Sequence, residues 1–203
     1  MKHNKFKQSI AFLLLSGLLA SCASSYRNIN PNGLNYNGSH EHNGVTFQYK
    51  YDVLRESGNK KYAKRETKKE VQLIGLSITN NSDQPLTLAK DVNIIANNEV
   101  VLPLDPKSTQ SFLKQNVPIY LLYFLLSFNT QSCENGDCET TIYPIGIPIA
   151  AGNMIMAGSA NSKFLNELET KDILNKTVQR GETVYGLVGL RSTQYAPLTF
   201  EIR

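Results

Sequence analysis

Apolar and polar residues alternate over residues 45–53, so every second side chain of this segment would lie on the same face of an extended strand. The same alternation closes the chain, where polar residues separate Leu198, Phe200 and Ile202. A two-residue period is typical of half-buried antiparallel strands and does not match the turn of a helix. Because isolated strand pairs are only marginally stable in water, we predict that residues 44–203 form one domain whose first and last strands complete a common sheet.

Five further strands are predicted between these ends, at residues 71–79, 86–88, 92–95, 99–102 and 183–190. Turn-forming residues separate them, including the cluster at 80–85 and the Asn97-Asn98 pair. Short strands with frequent turns favour a β-sandwich. The turn at 78–82, the strand start at Pro85-Leu86 and the late strand after Gly181-Glu182 resemble the immunoglobulin-like sandwiches of exported bacterial lipoproteins. The resemblance implies a mainly β fold, an immunoglobulin-like antiparallel β-sandwich.

Residues 106–176 interrupt this strand pattern and are predicted to be an insertion in the sandwich. Helix signals begin at Pro106, an almost wholly apolar run covers residues 117–128, and a second apolar stretch at 142–158 contains several Pro and Gly residues. Residues 162–174 repeat apolar side chains at helical spacing. We predict a mainly helical, apolar hairpin, with neither arm suited to span a membrane, since a spanning helix needs about 20 apolar residues.

Two interpretations of this apolar hairpin remain open. Either both arms pack against each other and against the sandwich, or part of the hairpin stays exposed and contacts a membrane or a partner protein. In the second interpretation the contact residues would lie in the first arm and comprise Leu121, Leu122, Tyr123, Phe124, Leu125 and Leu126.

The predicted hairpin carries two cysteines, Cys133 and Cys138, at its tip. The Asn135-Gly136 pair between them is the dipeptide that type I′ turns favour. With that turn, the cysteines face each other at the short separation of a non-hydrogen-bonded pair, which suits a disulfide. A redox pair would show Cys-x-x-Cys spacing, and a zinc site would need more ligands. We therefore predict a structural disulfide that stiffens an exposed tip.

The N-terminus combines three lysines within its first seven residues, an apolar run at 10–20 and the sequence Leu19-Ala20-Ser21-Cys22. The run is too short to span a bilayer and suits the hydrophobic region of a signal peptide. Together these features resemble a bacterial lipoprotein signal peptide with its lipobox. The resemblance implies cleavage before Cys22, to which a diacylglycerol and a further acyl chain such as palmitate become attached. An ordinary secretory peptide and an uncleaved N-terminal anchor are the alternatives.

This interpretation divides the chain into a signal peptide at 1–21, a lipidated tether at 22–43 and the domain at 44–203. The tether is rich in Asn, Gly and Ser, and as a flexible coil it would reach about 25 Å. Ala23, in the second mature position, resembles lipoproteins that are sorted to an outer membrane. We therefore expect a lipid-anchored protein of the cell envelope, in the outer membrane, on either its periplasmic or its outer face.

Charge argues against a nucleic-acid partner. The chain has 21 basic and 17 acidic residues, but three of the lysines leave with the signal peptide. The mature chain then carries 21 less 3, or 18, basic residues against 17 acidic ones and is close to neutral. A nearly neutral chain lacks the electrostatic attraction that nucleic-acid binding requires.

A dense run of basic residues occupies positions 60–69 and comprises Lys60, Lys61, Lys64, Arg65, Lys68 and Lys69. We interpret this run as an exposed hairpin whose charges protect a strand edge. The alternative is contact with an anionic surface, either lipid headgroups or an acidic polysaccharide.

No catalytic residue, metal site or cofactor is predicted. Ser111-Phe112-Leu113-Lys114 matches the Ser-x-x-Lys motif of penicillin-recognising enzymes, but Ser57-Gly58-Asn59-Lys60 matches it equally well and the companion motifs are missing. His40-Glu41-His42 holds the histidines of the mature chain. On a flexible tether these side chains would lose conformational entropy on holding a metal, so we expect them in solvent.

The sequence therefore predicts a lipid-anchored envelope protein that acts as a non-catalytic binding or assembly module. Its expected partners are the membrane, through the N-terminal acyl chains, and an envelope protein. One alternative is a hydrolase of cell-wall or other envelope glycans, which would need paired carboxylates in a cleft. The other is a docking subunit of a secretion, adhesion or transport complex that uses the apolar hairpin at 117–160.

Overall fold

A computed structural model describes residues 22–203 except Asn135, Gly136 and Gln194. The predicted signal peptide at 1–21 lies outside the described residues. The chain divides into two compact units. We call residues 22–25 with 116–158 the insertion unit, and residues 26–115 with 159–203 the sheet unit. The main segment of the insertion unit, residues 116–158, is shorter than the insertion expected at 106–176.

Strands and short helices alternate along the sheet unit, and the insertion unit holds one strand pair of its own. In chain order the strands are β1 (Gly38–His42), β2 (Val45–Lys50), β3 (Val71–Asn80), β4 (Leu86–Thr87), β5 (Val92–Ala96), β6 (Glu99–Val101), β7 (Pro103–Leu104), β8 (Phe128–Glu134), β9 (Asp137–Tyr143), β10 (Thr177–Val178), β11 (Thr183–Arg191) and β12 (Leu198–Ile202). The helices are α1 (Val53–Glu56), α2 (Lys60–Lys69), α3 (Leu88–Asp91), α4 (Pro106–Leu113) and α5 (Gly146–Thr170), with 3₁₀ segments at Pro31–Gly33 and Val117–Leu125.

Two antiparallel sheets form the framework of the sheet unit. The larger has the strand order β1-β2-β3-β11-β7, and the smaller has the order β12-β5-β6. A third, two-stranded sheet pairs β10 with β4. The first and last predicted strands thus belong to different sheets, which share one hydrophobic core.

The core between the two main sheets follows the predicted alternation. Val45, Phe47 and Tyr49 on β2 are buried, and the Phe47 ring stacks on Phe200 of β12 with centroids 4.5 Å apart. Burying an aromatic or aliphatic side chain of this size contributes about 1.5–3 kcal/mol. The Asn97-Asn98 turn between β5 and β6 is also confirmed, since both residues have positive φ, at 52° and 63°.

The larger sheet is covered on both faces, and this is where the fold departs from the prediction. On β3, Ile74 and Leu76 belong to the core between the sheets, whereas Val71 and Leu73 pack with α1, α2, α4 and the end of α5. The fold is therefore mixed α/β, with helices, a five-stranded sheet and a three-stranded sheet in layers. The predicted immunoglobulin-like sandwich is not confirmed, because such a sandwich leaves the outer face of each sheet uncovered.

The basic run at 60–69 is a helix and not the predicted hairpin. Asp52 takes a left-handed conformation (φ 57°), which ends the extended chain after β2 and precedes α1. On α2, Tyr62, Ala63 and Glu66 lie on one face and are buried, whereas basic residues and Thr67 occupy the rest of the helix. Three buried positions among so many charges leave little apolar periodicity, so the helix was missed in the sequence.

Residues 23–43 also differ from the flexible tether that their composition suggests. Tyr26 and Ile29 are buried in the core beneath the larger sheet, and β1 pairs along its whole length with β2. The turn between these strands is Asn43-Gly44, both at positive φ. β1 has no apolar residue, so hydrophobic alternation could not reveal it, but its Asn-Gly turn is the same signal that identified the hairpin at 133–138.

The predicted apolar helical hairpin is absent from the described residues. Its first arm is the 3₁₀ segment Val117–Leu125, the middle is the β8–β9 pair, and the second arm is the start of α5. Pro148 is tolerated because it lies in the first turn of α5, where its missing N–H breaks no helical hydrogen bond. The predicted amphipathic helix at 162–174 is the later part of α5, which ends at Thr170.

Candidate functional site

The insertion unit has a small core. Tyr120, Tyr123, Ala150 and Ala157 are its buried residues, and Ala23, Val117, Leu126 and Met154 pack against them. The Tyr120 and Tyr123 rings are nearly parallel, with an interplanar angle of 7° and centroids 6.2 Å apart. Side chains three residues apart align in a 3₁₀ helix, so this spacing points both rings into the same core.

The first half of α5 has the reverse of the usual helix burial. It buries the small residues Ala150 and Ala157, both fully, and exposes four large apolar ones: Ile147 (49% exposed), Ile149 (37%), Ile155 (73%) and Met156 (48%). A surface helix of a soluble protein normally buries its large apolar side chains and leaves polar ones in water. This helix therefore presents its apolar area outward.

Gly146 permits a close approach at the start of this helix. Its N–H donates to the carbonyl oxygen of Leu126 at 2.9 Å. A β-carbon at this position would lie 1.8 Å from the carbonyl oxygen of Tyr123, a distance that no side chain can occupy. Glycine is therefore required where α5 contacts the end of the 3₁₀ segment.

The six contact residues predicted in the first arm divide between core and surface. Tyr123 is buried and Leu126 half-buried, whereas the others are exposed: Leu121 (47%), Leu122 (62%), Phe124 (45%) and Leu125 (82%). Sequence reasoning missed further exposed apolar residues of the same unit, which are Ile119, Phe128, Ile142, Tyr143, Ile145, Ile147, Ile149, Ile155 and Met156. The second apolar stretch at 142–158 signals most of these residues.

Exposure of large apolar side chains is concentrated in this unit. Of the large apolar residues described as exposed, thirteen lie in the insertion unit and only Val100, Leu102, Tyr185 and Tyr195 lie in the sheet unit. The insertion unit thus exposes more large apolar side chains than it buries. This concentration of exposed apolar side chains makes the insertion unit the candidate contact site for a membrane, a ligand or another protein.

Charge is nearly absent from the same segment. Between Gln115 and Ser162 the charged residues are Glu134, Asp137 and Glu139, and no lysine or arginine occurs. All three acids lie at the tip of the β8–β9 hairpin, away from its apolar base at Phe128 and Tyr143. The apolar surface therefore has no basic residue with which to attract anionic lipid headgroups or an acidic protein.

The predicted disulfide at the hairpin tip is confirmed. The Cys133 and Cys138 sulfur atoms are 2.04 Å apart, and the two residues face each other in the β8–β9 register with Cα atoms 4.1 Å apart. The turn residues Asn135 and Gly136 lie outside the described residues. Every described residue of β8 and β9 is exposed, so the disulfide closes a hairpin that contributes no buried residue.

Cys22, the predicted lipidation site, belongs to the insertion unit and is half-buried. The backbone N–H of the next residue, Ala23, donates to the side-chain oxygen of Asn153 on α5 at 2.5 Å. Burial raises the pKa of the Tyr120 hydroxyl, and the negative charge of a Cys22 thiolate would raise it further. Cys22 therefore lies beside a residue that packs on the small core of the insertion unit, the unit that carries the exposed apolar side chains.

The chain enters the sheet unit at Tyr26, where Glu167 holds it by hydrogen bonds. The Tyr26 hydroxyl donates to one oxygen of the Glu167 carboxylate, and the Ile29 N–H donates to the other at 2.8 Å. Burial raises the pKa of Glu167, whereas both of these hydrogen bonds lower it. Three residues lie between Cys22 and Tyr26, and the four residue-to-residue steps that join them span at most about 14 Å. The connection is therefore shorter than the reach expected of a 21-residue coil.

The basic residues of α2 form a solvated helix face. Lys60, Lys64, Lys68 and Lys69 are exposed, Lys61 and Arg65 are half-buried, and the Arg65 guanidinium donates to the carbonyl oxygen of Phe112 at 3.2 Å. They do not line a strand edge, so that interpretation is wrong. Contact with an anionic surface stays a prediction.

His40 and His42 lie on β1 and have structural partners. The Nδ1 atom of His40 accepts the N–H of Phe200, and that of His42 accepts the N–H of Ile202, both at 3.2 Å. The two imidazoles thus connect the larger sheet to β12 of the smaller one. The described residues hold no group of three or more side chains that could bind a metal ion.

Neither Ser-x-x-Lys match forms a nucleophilic site. The Ser111 hydroxyl donates to the carbonyl oxygen of Ser108 at 2.8 Å, and that of Ser57 donates to the carbonyl oxygen of Val53. The two carboxylates with the deepest burial, Glu66 and Glu167, each accept a backbone N–H from a neighbouring segment. These carboxylates hold the fold together in the described part of the chain.

Comparison with protein-family models, with curated proteins and with solved structures finds no match to this chain. Within residues 22–203, apart from the three positions not described, no helix is both long enough and apolar enough to cross a membrane.

Proposed function

We propose that this chain is a lipid-anchored protein of the bacterial cell envelope, acylated at Cys22 and acting as a non-catalytic binding or assembly module. The location we propose is the outer membrane, and the partners are the membrane and an envelope protein. One observation carries the proposal: the unit that contains Cys22 also contains most of the exposed large apolar side chains.

Leaving these apolar side chains in water is unfavourable. Moving an exposed leucine, isoleucine or phenylalanine out of water contributes about 1.5–3 kcal/mol. Covering five of them would therefore release on the order of 10 kcal/mol, before the entropic cost of association is subtracted. A surface of this composition favours a bound state over exposure to water.

The short connection after Cys22 supports a domain held at the membrane. Tyr26 is fixed by Glu167 in the sheet unit, and only three residues lie between it and the acylated cysteine. Acyl chains attached at Cys22 would keep the folded body next to the headgroups, because the intervening chain is too short to hold it away. A module of this kind meets its partners at the membrane surface.

The two alternative functions are not equally well supported. A glycan hydrolase would need two carboxylates facing each other across a cleft, and the buried carboxylates Glu66 and Glu167 are engaged with backbone N–H groups. A docking subunit of a secretion, adhesion or transport complex is supported by the same apolar surface at 117–160. It differs from the main proposal in having one stoichiometric partner.

Metabolic labelling tests the anchor. In a bacterium that expresses the full chain, we expect labelled palmitate to enter the wild-type protein and the Cys133→Ser/Cys138→Ser double variant, but not Cys22→Ser. The double variant is the matched control, because it removes the other two cysteines of the chain. An unlabelled wild-type protein, or label that persists in Cys22→Ser, contradicts the proposal.

Crosslinking tests the assembly role. A stoichiometric envelope protein that crosslinks to the wild type and is lost in a Leu122→Glu variant would support the docking subunit. The matched control is Leu102→Glu, which places the same charge at an exposed leucine of the sheet unit. A monomer that turns over envelope glycans would support the hydrolase instead.

A further inference from the structure

We propose that the exposed apolar surface of the insertion unit inserts into the outer part of the lipid leaflet that holds the acyl chains. This inference rests on the proposed function, because it takes acylation of Cys22 as its starting point. It adds a second, protein-based contact with the bilayer and names lipid, and not a partner protein, as the occupant of the surface.

Insertion is supported first by the position of Cys22 within the insertion unit. The hydrogen bond from the Ala23 N–H to Asn153 fixes the residue next to Cys22 against α5. Acyl chains on Cys22 must enter the bilayer within a few ångströms of that residue. Apolar side chains of the same unit, including Ile149 at the turn of α5 before Asn153, are therefore brought to the headgroup region by the anchor.

Insertion is supported also by the helical backbone that carries the most exposed apolar residues. Backbone N–H and C=O groups that enter an apolar environment must be paired within the protein. The most exposed apolar residues, Leu125 and Ile155, lie in the 3₁₀ segment and in α5, where backbone groups pair locally. Because no described helix is long enough to cross the membrane, the fitting arrangement is insertion to the depth of the interface, about 5–10 Å.

The composition of the exposed surface favours lipid over protein as its occupant. Protein interfaces are enriched in aromatic residues, methionine and arginine within a polar rim. Nine of the thirteen exposed residues here are isoleucine or leucine, and the others are Phe124, Phe128, Tyr143 and Met156. The chain has no tryptophan, and no basic residue occurs between Gln115 and Ser162. A surface dominated by branched aliphatic side chains matches the acyl region of a bilayer better than it matches a protein interface.

The acidic residues of the insertion unit lie where insertion would leave them in water. Glu134, Asp137 and Glu139 would resist transfer into lipid, and all three lie at the disulfide-closed tip of the hairpin. The tip is therefore expected to stay in water while the hairpin base, with Phe128 and Tyr143, meets the membrane. Insertion does not require anionic lipid, because the surface carries no positive charge.

Tryptophan fluorescence tests the inference, because any tryptophan introduced into this chain is its sole one. We would place it at Leu125 (82% exposed) or Ile155 (73%) in the insertion unit, and at Leu102 (68%) in the sheet unit as the matched control. The lipidated proteins, purified from membranes, would be reconstituted into phosphatidylcholine vesicles with or without bromine atoms on the acyl chains. Circular dichroism would verify that each variant is folded.

We expect Leu125→Trp and Ile155→Trp to lose about half of their fluorescence to brominated lipid, because interfacial side chains reach the acyl boundary. Aqueous iodide should quench them little and should quench Leu102→Trp strongly. The inference is overturned if iodide quenches all three variants equally, or if lipid quenches all three equally. Protection of Leu125→Trp from both quenchers also overturns it, because a protein or a second copy would then cover the surface.

Flotation separates failure of this inference from failure of the proposed function. Variants that float with the vesicles but escape lipid quenching leave the acyl anchor intact and refute only the insertion. A wild-type protein that is found in the soluble fraction of the cells, or that does not float with the vesicles after reconstitution, refutes the anchor itself.

Discussion

Replacement of the buried carboxylate of Glu66 should remove a pH dependence from the stability of the protein. Glu66 lies on α2 with 1% of its surface exposed, and its Oε1 atom accepts the Leu73 N–H at 2.8 Å. Its Oε2 atom has no hydrogen-bond partner among the described residues. Burial raises the pKa of Glu66 from 4.5 to about 8; the Leu73 hydrogen bond opposes this shift and the charge of Asp52 adds to it.

The direction of the effect follows from proton linkage. Between pH 4.5 and about 8 the folded protein keeps Glu66 protonated while the unfolded chain has lost that proton. Stability therefore falls as the pH rises through this window. At 1.36 kcal/mol for each pKa unit, the contribution of this group between pH 5 and pH 8 is a loss of about 3–4 kcal/mol.

Glu66→Gln isolates this contribution, because the amide oxygen can still accept the Leu73 N–H and no charge has to be buried. Urea unfolding of both proteins, followed by far-ultraviolet circular dichroism, would give the free energy of unfolding from pH 5 to pH 8. We expect the variant to gain about 3–4 kcal/mol on the wild type across this range. Exposed Glu169→Gln is the control. A difference between wild type and Glu66→Gln that does not change with pH refutes the reasoning.

Two further predictions concern single side chains. Gly146→Ala should destabilise the insertion unit, since its β-carbon would meet the Tyr123 carbonyl, whereas Gly152→Ala should stabilise α5 by about 0.5–1 kcal/mol because nothing lies within 4 Å of its added carbon. Hydrogen exchange of α5 would measure both, and equal protection in the two variants would contradict the geometry. His40→Ala should cost about 1 kcal/mol by leaving the Phe200 N–H without its acceptor, and His40→Asn should cost less because the amide oxygen can replace Nδ1. Thermal unfolding would compare them, and identical losses would argue against the hydrogen bond.

Local patterns predicted the parts of this fold in which sequence period and burial agree. The alternation over β2 and β12 identified both strands, and the Asn97-Asn98 turn and the Cys133–Cys138 hairpin followed from short-range geometry. These features depend on residues close together in the chain. A two-residue period or an Asn-Gly pair is therefore enough to reveal them.

Features that depend on distant residues were not predictable in this way. β1 has no apolar residue, and its imidazoles find their partners on β12, about 160 residues away. α2 buries only three of its residues among many charges. The attachment of Tyr26 and Ile29 to Glu167 joins segments 138 or more residues apart. Contacts between such distant residues leave no periodic pattern in the local sequence.

The sequence left open whether the apolar segment at 117–128 is buried or exposed. In the structure, part of it is buried and part is exposed. Tyr120 and Tyr123 turn inward, whereas Leu122 and Leu125 turn outward. The run 117–128 contains too few polar residues to define a face by pattern. Only the pairing of the tyrosines with Ala150 and Ala157 on α5 determines which side of the 3₁₀ segment is buried.

We propose above all that Cys22 is the acylated first residue of the mature protein. Trypsin cleaves after arginine, and Arg27 is the first basic residue after Cys22, so the N-terminal peptide of the mature chain should comprise residues 22–27. Mass spectrometry of protein purified from membranes should find this peptide with a diacylglycerol and a further acyl chain on Cys22. A mature protein that retains residues before Cys22, or an unmodified peptide that begins at this cysteine, would contradict the account.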